Sequence, residues 1–428
     1  MGSRPPRGVR GRDDQVADGD GVDRISGLPD DLLLLVLSRF ECAHEAARTS
    51  VLSSRWSDLW RRLPELYFSH VSPRALEDAL AKVAIPKLSV LDIEFSGGSV
   101  SSGDVASLLP AAARLDPVKL SLGLWGKEKD GDQTIELPGF ARATEIYLSV
   151  GHHLTLPAHG CEFPVLERLS IARCRIDTGA LTLRCPHLCV LRISRCQSYD
   201  TLKVHSNTIE ELYVTHFGGC IDIVAPELKK LHLYATMHKD FSVSLSAPEL
   251  KKLHLYATMH KEFRISRGVD FVLHSRNLPE LFQFPKFSVL ELCLDTSGRV
   301  YGALVLKLLR ICNGIRRLKL VTNQNVGNND EACTPNCPCD QPQNWRSQNI
   351  FLIGLEEVEI QNFKGRGNEV DFLKLMLRCA LLTKVIVRLE SKVSPSSKGC
   401  KETYNLFKAN PAVECNVYQK RGKEVIYA

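Results

Sequence analysis

Ala225 to Phe241 reads APELKKLHLYATMHKDF, and Ala247 to Phe263 reads APELKKLHLYATMHKEF, the same run offset by 22 residues with one Asp-to-Glu change. Each copy carries L-x-x-L-x-L: Leu228, Leu231 and Leu233 in the first, Leu250, Leu253 and Leu255 in the second. The later leucines alternate with Lys, His and Tyr, the period of a strand whose successive side chains face opposite ways. One such unit cannot bury its leucines alone, so neighbouring units must stack on it. Degenerate copies fall at Leu88, Leu91, Ile93; Leu166, Leu169, Ile171; Leu188, Leu191, Ile193; Ile209, Leu212, Val214; Phe287, Leu290, Leu292; Ile315, Leu318, Leu320; Leu355, Val358, Ile360; and Leu382, Val385, Val387. From Leu166 to Leu250 the starts advance by 22, 21, 19 and 22 residues.

This period and pattern resemble the leucine-rich repeats. The resemblance implies an α/β solenoid with parallel strands on its concave face. The near-identical pair reads as a recent duplication, which a stack tolerates because each unit touches only its neighbours. In the fuller pattern the third residue after the second strand leucine is an inward-facing Asn or Cys, the place of Cys174, Cys196 and Asn323. There the thiols read as small buried fillers.

A second stretch, residues 23–64, reads DRISGLPDDLLLLVLSRFECAHEAARTSVLSSRWSDLWRRLP. Pro29 followed by Asp30 and Asp31 is a helix start, with acids in the first turn where the macrodipole favours them. Leu32 to Leu37 is apolar on every side. A short helix in so small a segment cannot bury all of that surface, so part of it should face another molecule. Ala47, Val51, Leu52, Trp56, Leu59, Trp60 and Leu63 follow at helical spacings, and Ser53 or Ser54 is placed to cap a third short helix.

The segment resembles an F-box in its plant form, LP-x-x-LL-x-x-IL-S…A-x-RTSVLS-x-RW-x-x-LW. Ser57, where a basic residue is common, is a minor departure. The resemblance implies docking on a Skp-type adaptor, and through it a cullin. Leu28, Pro29, Leu32, Leu33, Val36, Leu37, Val51, Leu52, Arg55, Trp56 and Trp60 are the expected adaptor-binding residues.

Composition bounds the rest. In 428 residues, 44% are hydrophobic and 24% charged, ordinary for a soluble globular chain. No apolar run is long enough for a bilayer. The first 22 residues, rich in Arg, Gly, Asp and Pro, read as a disordered tail without a secretory h-region. The fifteen cysteines are then expected reduced, in cytoplasm or nucleus. A net charge of +6 does not by itself indicate nucleic-acid binding.

Cys333, Cys337 and Cys339 crowd one loop stiffened by Pro335 and Pro338. They are a weak zinc candidate, because a tetrahedral structural site needs four N or S ligands and a fourth is missing locally. The loop, 324–344, reads as an insertion between repeats. The C-terminal segment beyond the loop resembles the FBD region of plant F-box proteins, through Trp345, Leu355, Val358, Ile360, Phe363, Gly365, Glu369, Phe372, Leu373, Leu377, Ala380, Leu382 and Val385. The residues themselves predict a strand at Leu355 to Ile360, a turn at Gly365 and Gly367, a helix from Glu369 to Ala380 and a strand at Lys384 to Leu389. The expected organisation is a tail (1–22), an F-box (23–64), a solenoid (65–344) and an FBD-like region (345–428).

Between the strand leucines, Arg192, Lys230, His232, Tyr234, Lys252, His254, Tyr256, Arg317 and Lys319 are expected to face outward as a basic and aromatic stripe. Stacking should set Lys230 beside Lys252, a repulsion that a target bearing carboxylates or phosphates would relieve. The chain shows no P-loop, G-x-S-x-G, H-E-x-x-H or dinucleotide motif, so no enzyme chemistry and no cofactor are expected. The leading reading is the substrate-recognition subunit of a Skp–cullin–F-box ubiquitin ligase that binds a target protein through its repeats. A non-degrading F-box interaction protein and a basic repeat protein binding nucleic acid stay open as alternatives.

Overall fold

The leucine pairs of the repeats become strands. The computed structural model describes residues 25–419 except 26, 86, 97–99, 126–132, 159–162, 197–200, 218, 237–241, 259–286, 296–299, 312–313, 324–342 and 348–350. It falls into two units, Met1–Leu63 and Pro64–Ala428.

Among the described residues of the second unit, fourteen strands pair in chain order: Glu65–Ser69, Val90–Ser96, Lys119–Trp125, Glu145–Ser149, Arg168–Ala172, Val190–Ser194, Glu211–Phe217, Lys230–Thr236, Lys252–Thr258, Val289–Asp295, Arg317–Asn323, Glu357–Phe363, Lys384–Leu389 and Glu414–Tyr418. Every pairing is parallel. The duplicated units pair like with like, Leu231 on Leu253 and Leu233 on Leu255. These four leucines are buried, whereas Lys230, His232 and Tyr234 between them stay exposed or half-buried. A one-residue slip would exchange the two sets, so burial of the leucines pins the register.

The chain returns in two ways, through strands or through helices. From Glu211 to Lys230 and from Lys230 to Lys252, the steps return through the strands Cys220–Val224 and Ser242–Ser246; Cys220–Val224 pairs with Ser242–Ser246 on one side and Thr201–His205 on the other in a second parallel sheet. Other steps return through helices: Pro73–Lys82, Ser102–Arg114, Thr178–Leu183, Gly302–Ile311, Gly367–Cys379 and Lys398–Lys408. A five-residue strand and an eleven-residue helix both span about 16 Å, so a helix absorbs extra residues without lengthening the unit.

His70, Arg173, Arg195, His216 and Asn362 all have φ between 52° and 58°. Each stands five residues after the first residue of its strand. At His70, Arg173 and Arg195 the left-handed residue ends the strand, and at His216 and Asn362 it makes a bulge after which pairing resumes at Phe217 and Phe363, at a cost of about 1–2 kcal/mol per non-glycine residue. Arg173 and Arg195 recover a backbone bond there, each N–H donating to a carbonyl of the next strand, Ser194 O and Thr215 O, at 2.9 Å. Cys174 and Cys196 follow and face inward, their Sγ atoms 3.1 Å from Ala172 O and 3.5 Å from Ser194 O. Burial pushes the Cys174 thiol up to about 12. Asn323 bonds instead to side chains, Cys293 at 3.3 Å and Asn362 at 3.0 Å.

The sheet runs through the C-terminal region without a break in pairing at Trp345. The helix there is Gly367–Cys379, two residues earlier than the sequence predicts. Glu369, only 4% exposed, starts it by accepting from the N–H groups of Lys364 and Arg366 at 3.0 and 2.9 Å. Phe372, Leu375, Met376 and Cys379 face in, and Lys374 reaches Glu402 at 2.6 Å. The helix Lys398–Lys408 and strand Glu414–Tyr418 beyond it are additional to the elements that the sequence predicts.

Among the described residues, no helix is long and apolar enough to cross a membrane, and no cluster of His, Cys, Asp or Glu could hold a metal ion. Cys333, Cys337 and Cys339, like the tail, lie outside the described residues.

Candidate functional site

The first unit packs α1 (Asp30–Leu37), α2 (Ala43–Arg48) and α3 (Ser54–Leu59), with 3-10 turns at Thr49–Val51 and Trp60–Arg62. Pro29 caps α1 with φ −58°, and Asp30 and Asp31 fill its first turn. Ser53 is the N-cap of α3, but its side chain makes no capping hydrogen bond. Asp30 ties the unit together. Arg55 donates to its Oδ1 from Nε at 2.9 Å and from Nη2 at 2.7 Å, and Arg62 to its Oδ2 at 2.9 Å. The hydrogen bonds from these two arginines hold the Asp30 carboxyl below its usual range. Arg55 Nη2 also donates to the Leu28 carbonyl at 2.7 Å, which fixes the Leu28-Pro29 entry to α1.

The expected adaptor-binding residues divide. Leu33, Leu37, Trp56 and Trp60 are 0%, 1%, 3% and 7% exposed and form the core. Their expected place at the docking surface is thereby corrected: a unit this small needs its large apolar side chains to fold, and an i, i+4 pair plus the two tryptophans supply them. Leu32, Val36, Val51 and Leu52 are 45%, 44%, 88% and 64% exposed. Pro29 is exposed and Leu28 half-buried. Leu35, 53% exposed, is a further outward leucine that the family pattern did not single out.

On the open face of the repeat sheet, position three of successive strands carries a continuous row. Arg192 lies over the Tyr213 ring at 4.7 Å, Tyr213 stacks on His232 at 4.3 Å, and His232 on His254 at 5.2 Å. His254 Nδ1 then meets Glu291 Oε2 at 2.9 Å. Burial, with the charges of His254 and Lys252, pushes His232 down to about 4. Burial pushes Glu291 up, but hydrogen bonds from Lys252 and His254 outweigh it and hold the carboxyl at about 2. In the next row His216 stacks on Tyr234 at 4.4 Å, and Tyr234 on Tyr256 at 4.0 Å.

Lys230 does pair with Lys252 and His232 with His254, but the expected unrelieved repulsion is absent. Lys230 Nζ reaches Glu211 at 2.6 Å, Lys252 Nζ reaches Glu291 at 2.9 Å, Lys319 lies 3.9 Å from Glu291, and Arg317 pairs with Glu357. The stripe is a mixed-charge ladder. Glu291 lies between Leu290 and Leu292, so its outward place was readable from the repeat, and its carboxylate is what changes the charge balance.

The F-box domain family matches residues 25–67. An Arabidopsis thaliana protein named for an F-box and leucine-rich repeats is 24% identical over 411 residues, covering 86% of this chain and 94% of its own length. An A. thaliana F-box protein is 38% identical over 222 residues, 50% of this chain and 71% of its own. An A. thaliana FBD-associated F-box protein is 46% identical over 61 residues, 14% of this chain and 15% of its own. With a helical F-box followed by a long parallel sheet of leucine repeats, the chain belongs to the plant F-box proteins that carry leucine-rich repeats.

Proposed function

We propose that this chain is the substrate-recognition subunit of a Skp–cullin–F-box ubiquitin ligase. An F-box implies a Skp-type adaptor in general. The observation that carries the reading is the row of outward apolar side chains on the helical unit, Leu32, Leu35, Val36, Val51 and Leu52, on a segment that already has a core of its own. The repeat sheet and its C-terminal continuation, residues 65–344 with the FBD-like 345–428, would hold the target protein. The cullin and the transfer chemistry belong to other subunits, and this chain would contribute proximity, making ubiquitin transfer to the target effectively intramolecular.

Co-expression with a plant Skp-type adaptor tests the docking half. The full chain should retain the adaptor, and Leu35→Asp with Val51→Asp should release it while the thermal midpoint of the chain holds. Retention by the double variant would remove this surface from the reading. The target half is tested by half-life: a protein held by the repeats should be stabilised when cullin activity is blocked. The nucleic-acid alternative loses its support, because Lys230, Lys252, Arg317 and Lys319 already have carboxylate partners.

A further inference from the structure

The ladder does not extend its carboxylates to every cation. Arg192 and Arg195 belong to the strand Val190–Ser194 and the turn after it, and both are exposed. Among the described residues neither forms an ion pair. Glu211, whose carboxyl feels the Arg192 charge, is engaged by Lys230 at 2.6 Å and by the Tyr213 hydroxyl at 2.9 Å. Arg192 lies over the Tyr213 ring, which orients its guanidinium and leaves its charge in place. On the next strand His216 repeats the left-handed conformation of Arg195 and stacks on Tyr234. Burial, together with the Arg195 charge, keeps its imidazole below the ordinary range. The two strands are joined between these groups by the Thr215 hydroxyl donating to Ser194 Oγ at 2.8 Å.

The left-handed turn itself belongs to the repeat, since His70 and Asn362 share it far away in the sheet. What distinguishes this stretch is which side chains fill it. Arg173, Arg195 and His216 occupy this left-handed position on three adjacent strands, spaced by the strand separation of about 4.8 Å.

We propose that Arg192, Arg195 and His216, with the Ser194 and Thr215 hydroxyls between them, form the anion-recognition site of this chain, and that its occupant is an acidic peptide segment of the target protein. This rests on the reading that the repeats bind a target, and it moves the contact away from the paired lysines. The two guanidinium groups, with the Ser194 hydroxyl that the Thr215 hydroxyl holds in place, suit adjacent carboxylates, each taking a charge-assisted hydrogen bond. The stacked Tyr234 and Tyr256 beside them offer a flat apolar surface to the residues flanking the acids.

The test is fluorescence anisotropy on the full chain purified with its adaptor. The probes are a fluorescein-labelled peptide with six glutamates spaced by Gly and Ser, the same peptide with glutamines, and one with phosphoserines. The glutamate peptide should bind and the glutamine peptide should not. Arg192→Ala with Arg195→Ala should weaken the glutamate peptide by about tenfold or more, and Lys230→Ala with Lys252→Ala by less than about twofold. Arg192→Lys with Arg195→Lys should recover part of the loss, which a damaged fold would not do. Equal losses in the two alanine pairs, equal binding of the glutamine peptide, or binding of the phosphoserine peptide alone would each overturn the proposal. The assay does not depend on ubiquitin transfer, so its failure is told apart from failure of the ligase reading, which the adaptor and half-life experiments report.

Discussion

Tyr234 and Tyr256 occupy the same place in two copies of one unit, and their rings stack at 4.0 Å with an interplanar angle of 9°. In-register parallel strands set identical side chains side by side, and rings closer than the strand spacing show that the pair packs on itself. Either Tyr→Ala alone should therefore lose contacts that the other no longer needs. A double-mutant cycle should return a coupling of about 0.5–1.5 kcal/mol by urea unfolding. Strict additivity would show that the stacking contributes nothing.

The His232–His254–Glu291 row makes stability depend on pH. His232 has a folded pKa of about 4, below the ordinary value of 6.5. Its contribution is therefore present above pH 6.5 and lost as pH falls toward 4. Glu291, at about 2 against 4.5, has the same sign in a lower window. The thermal midpoint should fall between pH 6.5 and 4 in the parent chain, and less in His232→Gln. A parallel decline in both would clear His232 of the effect.

Gly365 and Gly399 meet without room for a side chain. A Cβ on Gly399 would lie 1.8 Å from the Gly365 carbonyl oxygen, and Gly365 itself has φ +71°. Gly399→Ala should cost about 2–4 kcal/mol, since backbone and not a flexible side chain would have to move. Gly367→Ala, with nothing within 4 Å of its Cβ, should be neutral or slightly stabilising at a helix start. Calorimetry on the two variants separates them.

In the F-box unit, Leu33→Ala should destabilise by about 2–4 kcal/mol and Leu35→Ala by less than about 0.5 kcal/mol, because only the first opens a cavity. Fluorescence of Trp56 and Trp60, both buried in this unit, reports its unfolding.

Legibility followed periodicity. The strand register at Lys230 and Lys252 could be read because identical residues 22 apart leave one way to stack. The return elements could not: the unit beginning at Arg168 returns through the helix Thr178–Leu183 and the next, of nearly the same length, through the strand Thr201–His205, so length does not separate them. In α1 the run DLLLLVL has no polar face, so nothing in it says that Leu33 turns inward and Leu35 outward. The lysine stripe was visible, but its neutralisation was not. It needs the reach of flexible lysine and arginine side chains to Glu211, Glu291 and Glu357 on a neighbouring strand, which spacing along the chain does not give.

Removing residues 230–251 joins Lys229 to Lys252 and leaves one copy of the unit. The shortened chain should still fold, with the strand beginning at Lys252 pairing on Glu211–Phe217. Far-ultraviolet circular dichroism with a cooperative melt would bear this out, and an unfolded product would show that the array does not tolerate loss of a period.

The near-identity of these two units has a genetic side. A gain or loss of 22 residues here adds or removes a whole unit, and each junction stays one the protein already uses. Because the leucines travel with the outward residues, such an event adds or deletes a row of Lys, His and Tyr without opening the core. Selection can thus vary the surface offered to partners by whole rows, at little risk to folding.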